Sequence, residues 1–139
     1  MDIGYISLYG VSVKGLVMAG ILGILAFNAS GANVGLLNAI EQVESGGRAD
    51  AVGDSGSAVG AYQIWKICVD DINRIKGKKI YTYQDRLNKT KSRQMCEIYI
   101  DHYGKGMDDI SKARIWNGGP RGYKLKSTVK YGNKVKKHL

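Results

Sequence analysis

The sequence predicts a mainly α-helical domain over residues 32–139, with a small β or loop region, behind an N-terminal hydrophobic segment. Three observations lead to this fold class. Apolar residues recur at helical spacing in five segments, glycine-rich stretches separate those segments, and only residues 79–83 have a strand-like composition. The chain of 139 residues, 44% hydrophobic and 24% charged, is suited to one ordinary globular domain.

The N-terminal segment is predicted to be a signal peptide or a membrane anchor. Residues 16–27 read LVMAGILGILAF, and small or polar residues follow at 28–32, as at the cleavage site of a secretory signal peptide. The uncharged stretch over residues 15–38 also approaches the roughly 20 residues of a membrane-spanning helix, so an anchor through residues 16–27 is the alternative. A buried core helix is a third reading. In both membrane readings residues 32–139 are exported or held facing the periplasm or cell wall.

Five segments of the body are predicted to be helices, because their apolar residues lie three and four positions apart. They are residues 34–44, 64–75, 84–103, 108–116 and 128–137. Asn33 is suited to cap the first helix, and glycines follow most of the others. Glycine and serine crowd residues 45–61, where we expect loops and a small hairpin.

The chain is basic, with a net charge of +9. No acidic residue occurs from Ile110 to Leu139. The basic residues in that stretch are Lys112, Arg114, Arg121, Lys124, Lys126, Lys130, Lys134, Lys136 and Lys137. Such a charge favours a polyanionic partner, which is nucleic acid, anionic lipid or an anionic cell wall. The alternative is a surface that only keeps the domain soluble.

No metal site and no cofactor are predicted. Cys68 and Cys96 form no Cys-x-x-Cys pair, and His102 and His138 have no ligand-like spacing to either of them. No glycine-rich phosphate loop follows a strand. Both cysteines have apolar, helical-looking neighbours, which predicts buried free thiols. A disulfide between two helices is the alternative for an exported domain.

Glu44 is the candidate catalytic acid. Glycoside cleavage requires a carboxylic acid that stays protonated near neutral pH, and an apolar setting raises its pKa. Glu44 follows an apolar helical stripe and precedes a Gly-Ser loop, a position suited to the wall of a cleft. Glu41, one turn earlier, is the competing candidate. An ordinary surface glutamate is the alternative for both.

Three segments in order strengthen that assignment. They are residues 40–47 (IEQVESGG), 59–64 (VGAYQI) and 113–123 (ARIWNGGPRGY). Together they resemble the lysozyme-like superfamily. The first two resemble the Glu-Ser and Gly-x-x-Gln-Ile motifs of soluble lytic transglycosylases. The first and third are similar to the invertebrate-type (destabilase) lysozymes, in which an Asn-Gly-Gly-Pro segment follows a short helix.

The resemblance, over about residues 36–135, implies a lysozyme-like α+β fold with a cleft and peptidoglycan as the partner. It implies cleavage of the β-1,4 bond between N-acetylmuramic acid and N-acetylglucosamine, with Glu44 as general acid and Asp54 as the second catalytic carboxylate. The substrate-binding residues that it implies are Ser45, Tyr62, Gln63, Trp116 and Asn117.

Asp54 decides the predicted reaction. In the lysozymes of this resemblance, an aspartate lies between the Glu-Ser and Gln-Ile motifs, as Asp54 does here. Lytic transglycosylases lack this second carboxylate and form a 1,6-anhydro end. Gly53-Asp54-Ser55-Gly56 is also good turn chemistry, so a purely structural aspartate is the alternative.

One departure bears on the source of the chain. The invertebrate lysozymes are cysteine-rich, and this chain has two cysteines. That favours a bacterial or phage protein, exported or virion-associated, and we expect a monomer. Two other functions stay open, a non-catalytic wall- or sugar-binding module of the same fold and a membrane-anchored basic protein that binds nucleic acid. The basic stretch lacks regularly spaced aromatics, so nucleic acid is not the expected partner.

Overall fold

A computed structural model describes residues 32–139 and shows a mainly helical domain with one two-stranded sheet, which confirms the predicted fold class. Its α-helices are α1 (Val34–Ser45), α2 (Lys66–Lys76), α3 (Lys89–Tyr103), α4 (Asp109–Gly118) and α5 (Val129–Lys136). The predicted signal peptide or anchor lies outside the described residues. In residues 32–139, no helix has both the length and the apolar content to cross a bilayer.

The hairpin expected within residues 45–61 is present. Strand β1 (Val52–Gly53) pairs antiparallel with β2 (Ala58–Val59), and a 3₁₀ turn over Asp54–Gly56 joins them. Val52 lies opposite Val59 in this register. Val59 also exchanges both backbone hydrogen bonds with Ile64, at 2.9 and 3.2 Å, so the chain folds back beside the hairpin before α2 begins.

The strand-like stretch over residues 79–83 does not enter a sheet. The side chain of Asn73 takes the place of a neighbouring strand there. Its amide oxygen accepts hydrogen bonds from the backbone of Ile80 and Tyr81, each at 3.0 Å, and its amide nitrogen donates to the Tyr81 carbonyl at 2.9 Å. The β-type composition was therefore a misleading local signal.

Two helices begin later than predicted. Ile64 is in the β-bridge with Val59, so α2 begins at Lys66. The segment predicted from residue 84 begins instead as a separate 3₁₀ turn, Tyr83–Leu87, and a capping box between Thr82 and Asp85 starts that turn. A second cap follows at Asn88, whose side chain accepts from the Lys91 backbone and starts α3.

The core lies among all five helices, and α4 packs against both α3 and α5. Its fully buried large side chains come from each helix and from the segment after the hairpin. They are Leu36, Leu37, Ile40, Tyr62, Ile64, Val69, Ile72, Met95, Ile100, Ile115 and Val135. This packing brings the C-terminal ends of α1 and α4 near the start of α2, which places the cleft described below. Cys68 and Cys96 are free, and Cys96 is buried.

Candidate functional site

A cleft of about 480 Å³ lies where the ends of α1 and α4, the hairpin and the start of α2 meet. Polar and aromatic side chains share its walls with three aliphatic or sulfur-containing ones. The lining residues are Glu44, Asp54, Gln63, Ile64, Trp65, Ile67, Cys68, Tyr99, Trp116, Asn117 and Gly119. Five of the seven site residues that the sequence suggested line this cleft, namely Glu44, Asp54, Gln63, Trp116 and Asn117.

Glu44 lies in the last turn of α1, which Gly46 ends in a left-handed conformation with φ 63°. Its side chain is partly buried. The hydroxyl of Tyr131, on α5, donates a hydrogen bond of 2.7 Å to Glu44 Oε1. The carboxyl group is therefore held in place from across the domain, by a residue 87 positions away in the sequence.

Burial raises the pKa of Glu44 from 4.5 to about 7. The negative charge of Asp54 raises it further, while the hydrogen bond from Tyr131 and the side chain of Trp116 lower it. Burial is the largest of these effects. A substantial share of the Glu44 side chains is therefore protonated near neutral pH, and a protonated carboxyl donates a hydrogen bond as well as accepting one.

Asp54 begins the 3₁₀ turn of the hairpin and is exposed at the cleft. Its φ of 47° and the φ of 55° at Ser55 are both in the left-handed region, which L-residues rarely adopt. Such conformations persist where the surrounding structure enforces them, and they are frequent at functional sites. The hairpin therefore presents Asp54 in a defined and locally unfavourable backbone conformation.

Gln63 lines the cleft, and its side-chain amide also holds the hairpin. Its Nε2 donates to the carbonyls of Ala51 at 3.2 Å and Gly60 at 3.0 Å. Its φ of 50° is again left-handed. A Cβ on Gly53 would lie 2.4 Å from Gln63 Oε1, so a side chain there would displace the Gln63 amide. Gln63 therefore supports the loop that carries Asp54.

Tyr62 was expected to pack beside a sugar, and this is wrong because its side chain is fully buried. Its hydroxyl lies 3.2 Å from Glu41 Oε2 and accepts from Arg93 at 3.1 Å. Glu41 in turn forms a 2.6 Å ion pair with Lys89. The competing acid candidate, Glu41, therefore belongs to a structural network and does not line the cleft.

Ser45 was expected to contact substrate, and the structure corrects this as well. Its hydroxyl donates to the Ala61 carbonyl at 2.7 Å and accepts from the backbone of Gly47 and Arg48, each at 3.1 Å. These bonds close the turn after α1 and tie it to the segment that follows the hairpin. The serine of the Glu-Ser pair positions Glu44 through the backbone.

Trp116 and Asn117 lie in the last turn of α4 and line the cleft. The Trp116 ring packs edge-on against Tyr99, with 5.7 Å between ring centroids. Asn117 is exposed and leaves its amide free to meet a ligand. Gly119 ends the helix with a φ of 82°, which accounts for a glycine directly after α4.

Sequence reasoning missed Trp65, Tyr99 and Tyr131. Trp65 is 48% exposed in the cleft wall, directly after the Gly-x-x-Gln-Ile segment, so a search for exposed aromatics beside that segment would have found it. Tyr99 looked like one more core residue of a long helix. For Tyr131 the sequence offers no signal, because its contact with Glu44 depends on the packing of α5. Within the described part of the chain, no group of three or more His, Cys, Asp or Glu side chains is placed to hold a metal ion.

No protein-family model matches the chain, and no curated protein matches it in sequence. One solved structure is similar. It is a chain in the crystal structure of Aeromonas hydrophila PliI in complex with Meretrix lusoria lysozyme, with 26% identity and a TM-score of 0.64. The match covers 76% of this chain and 89% of the other.

The resemblance to the lysozyme-like superfamily is therefore confirmed only as far as a fold shared with a chain of this PliI–lysozyme complex. In that crystal PliI is bound to a lysozyme. On that finding we correct the prediction of an enzyme. Peptidoglycan cleavage by a lysozyme or lytic transglycosylase, and with it a hydrolase, glycosidase or bacteriolytic activity, is withdrawn on that match.

Proposed function

We propose that this domain is a non-catalytic carbohydrate-binding module, and that the glycan strands of peptidoglycan are its ligand. The observation that supports this best is the composition of the cleft. An exposed indole, Trp65, shares the walls with the carboxyl groups of Glu44 and Asp54 and the amide of Asn117. Sugars have apolar faces that pack on aromatic rings, and hydroxyl and acetamido groups that need donors and acceptors.

Each polar group in the cleft supplies a different part of that recognition. Asn117 offers an amide donor and an amide acceptor, which match the acetamido group of an N-acetylated sugar. Protonated Glu44 donates to a hydroxyl or carbonyl oxygen of the ligand. Asp54 accepts from sugar hydroxyls at the mouth of the cleft. Gln63 and Trp116 hold these groups in place rather than supply the main contacts.

The size and position of the cleft agree with an extended polar ligand. Its volume of about 480 Å³ lies in the range of small-molecule sites. Polar groups reach the rim, where Asp54 and Asn117 are exposed, so a chain is able to continue beyond the cleft. A wall ligand also accords with the predicted signal peptide or anchor of residues 1–31, and with the virion-associated alternative, because each brings the domain to the cell wall.

The test is the binding of N-acetylglucosamine oligomers and soluble peptidoglycan strands, measured by titration calorimetry on the wild type and on Trp65→Ala. Losing the stacking platform should weaken binding by about 10-fold, which corresponds to about 1.4 kcal/mol. Tyr83→Ala is the matched control, because Tyr83 is 44% exposed and does not line the cleft. No binding by the wild type, or an equal loss in both variants, would overturn the proposal.

Mass spectrometry of the same mixtures checks the absence of catalysis. A binding module leaves the glycan strands intact. If the wild type releases muropeptides and Glu44→Gln does not, the chain cleaves glycan and the binding-module proposal fails. A general acid contributes about 10²–10⁴-fold, so this difference would be unmistakable.

A second candidate is a protein partner, and the observation that favours it is that the similar structure is a complex of two proteins. The probes are the two named proteins, PliI and the Meretrix lusoria lysozyme, each immobilised and tested for binding of the full chain. Binding to the lysozyme would support a PliI-like role. Binding to PliI would place this chain on the lysozyme side of such a pair. Failure to bind either would exclude this candidate and leave the glycan proposal standing.

A further inference from the structure

The basic C-terminal part of the chain is largely exposed, and none of its cations lines the cleft. Two of its nine cations are engaged inside the domain. Lys112 pairs with Asp101 at 3.0 Å, and Arg114 donates to Thr128 Oγ1 and to the Leu125 carbonyl, each at 2.9 Å. The other seven are exposed, and among residues 32–139 no carboxylate pairs with them. They are Arg121, Lys124, Lys126, Lys130, Lys134, Lys136 and Lys137.

Helix α5 orders part of this charge on one face. Gly132 and Val135 are buried against the domain, and Tyr131 turns inward to Glu44. Lys130, Lys134 and Lys137 are spaced four and three positions apart, so they lie along the opposite, exposed side. We name this set, together with the other four exposed cations of the C-terminal part, the basic face.

The basic face is held rigidly. Arg114 of α4 bridges to Thr128 and Leu125, and a Cβ on Gly132 would lie 3.0–3.1 Å from the Arg114 side chain and from Ile110. Helix α5 therefore packs closely on α4 and cannot swing away without breaking these contacts. A preformed surface loses little conformational freedom when it binds.

Apolar side chains are interleaved with the lysines of the basic face. Leu125, Val129 and Leu139 are 43%, 44% and 55% exposed. A polymer that offers only phosphate charge leaves such side chains in water. An anionic bilayer surface takes up both kinds of group, because lysines pair with headgroups while apolar side chains enter the boundary with the acyl chains.

We propose that the basic face docks on anionic phospholipid. The sequence adds an independent reason, since residues 16–27 are an uncharged apolar stretch of the kind that brings a chain to a bilayer. Stable attachment to a membrane generally needs two signals, and a cationic surface is the usual second one. This inference does not depend on what the cleft binds.

The test measures the partition of the full chain onto vesicles of phosphatidylcholine, alone or mixed with phosphatidylglycerol. The variant Lys130→Gln/Lys134→Gln/Lys137→Gln removes three charges from the basic face. Each lysine near an anionic surface strengthens binding by about 5-fold, so the triple variant should lose on the order of 100-fold of the phosphatidylglycerol-dependent part. Binding to phosphatidylcholine alone should not change.

The matched control is Lys76→Gln/Lys78→Gln/Lys79→Gln, which lowers the net charge equally at three exposed lysines around the end of α2. It should keep most of the extra binding that phosphatidylglycerol adds over phosphatidylcholine alone, which we call the anionic increment. The increment should also fall steeply as salt is added, because screening shortens the reach of the charges. Equal losses in the two triple variants, or no increment in the wild type, would overturn the proposal.

A last variant separates a lipid from other polyanions. Val129→Ser/Leu139→Ser removes apolar side chains and no charge. It should weaken binding to the mixed vesicles several-fold and leave binding to double-stranded DNA unchanged. If the vesicle partition is unchanged and wild-type binding to DNA is the stronger, the basic face is a general polyanion surface and the lipid proposal fails.

Discussion

Glu44 combines two features that oppose each other at the scale of a single residue. It is a carboxyl group that burial keeps partly protonated near neutral pH, yet a strong hydrogen bond from Tyr131 favours its ionised form. Burial has the larger effect, and the pKa rises to about 7. The side chain therefore changes charge in the range where small shifts of pH alter what the cleft offers a ligand.

This pKa predicts how stability varies with pH. Between its ordinary value of 4.5 and about 7, the folded state holds the Glu44 proton and the unfolded state has released it. The free energy of unfolding therefore falls as pH rises through that window. Glu44→Gln should remove the fall and make the domain more stable than wild type at high pH, by about 2–3 kcal/mol.

The measurement is urea unfolding at a series of pH values from about 4 to about 8, which brackets the window set by the linkage relation. Glu97→Gln, at a glutamate outside the cleft, is the control and should follow the wild-type profile. Parallel profiles for wild type and Glu44→Gln would show that Glu44 does not titrate as its burial requires.

The sequence suggested Glu44, Asp54 and Gln63 as site residues but not Tyr131, which holds the Glu44 carboxyl group. The Glu-Ser pair, the Gln-Ile segment and the Asn-Gly-Gly-Pro segment are local patterns, and each does reach the cleft. Ser45 and Tyr62 were misassigned because a motif does not show which of its side chains turns inward. Tyr131 was out of reach, since its role arises only when α5 packs beside α1.

At the scale of elements, the hairpin is the most constrained part of the site. Asp54, Ser55 and Gln63 all have left-handed φ values, and Gln63 spans the hairpin with two hydrogen bonds. The segment closes at Gly60, whose φ is 85°. The backbone at Arg86 packs directly against Gly60, because a Cβ on Gly60 would lie 1.8 Å from the Arg86 carbonyl oxygen.

Gly60→Ala should therefore destabilise the domain by more than about 3 kcal/mol, through a backbone clash added to the cost of a left-handed alanine. Gly56→Ala is the matched control. Its φ of 95° is also left-handed, but no atom lies within 4 Å of the added Cβ. It should cost only about 1–2 kcal/mol. Denaturant unfolding compares the two, and equal losses would mean that the approach of Arg86 is not a constraint.

Elements with a strong local pattern were predictable, and those fixed by side-chain contacts were not. The five helices follow the spacing of their apolar residues. The late start of α3 follows from the cap at Asn88, a residue that lies inside the segment predicted as one continuous helix. Residues 79–83 do not form a strand, because the side-chain amide of Asn73 forms hydrogen bonds with the backbone of Ile80 and Tyr81.

At the scale of the whole molecule, α5 connects two surfaces of different chemistry. Tyr131 points inward to Glu44, and the lysines of the same helix form part of the basic face. The charge imbalance was evident from composition, while its arrangement beside exposed apolar residues became clear only from the fold. Glycan binding and lipid docking are thus separable, because the variants for one leave the residues of the other unchanged.

Residues 32–139 should fold without the segment that precedes them. Their core contains residues from Ala32 to Val135, and the described polar contacts of Ala32 stay within this part, since its backbone nitrogen donates to Asp101 Oδ2 at 3.0 Å. A fragment that begins at Ala32 places a positive amino group on that nitrogen, which strengthens the bond to the carboxylate. We expect a cooperative thermal transition within about 5 °C of that of the full chain, a change of roughly 1 kcal/mol or less.

Circular dichroism of the fragment and the full chain measures both transitions, and Asp101→Asn in the fragment is the informative control. The Asp101 carboxylate accepts hydrogen bonds from both Ala32 and Lys112. The substitution removes its negative charge and weakens both bonds, so it should lower the Tm of the fragment. A fragment with no cooperative transition would mean that the preceding residues complete the core. A fragment that unfolds like the full chain and still binds N-acetylglucosamine oligomers would locate both folding and glycan recognition within residues 32–139.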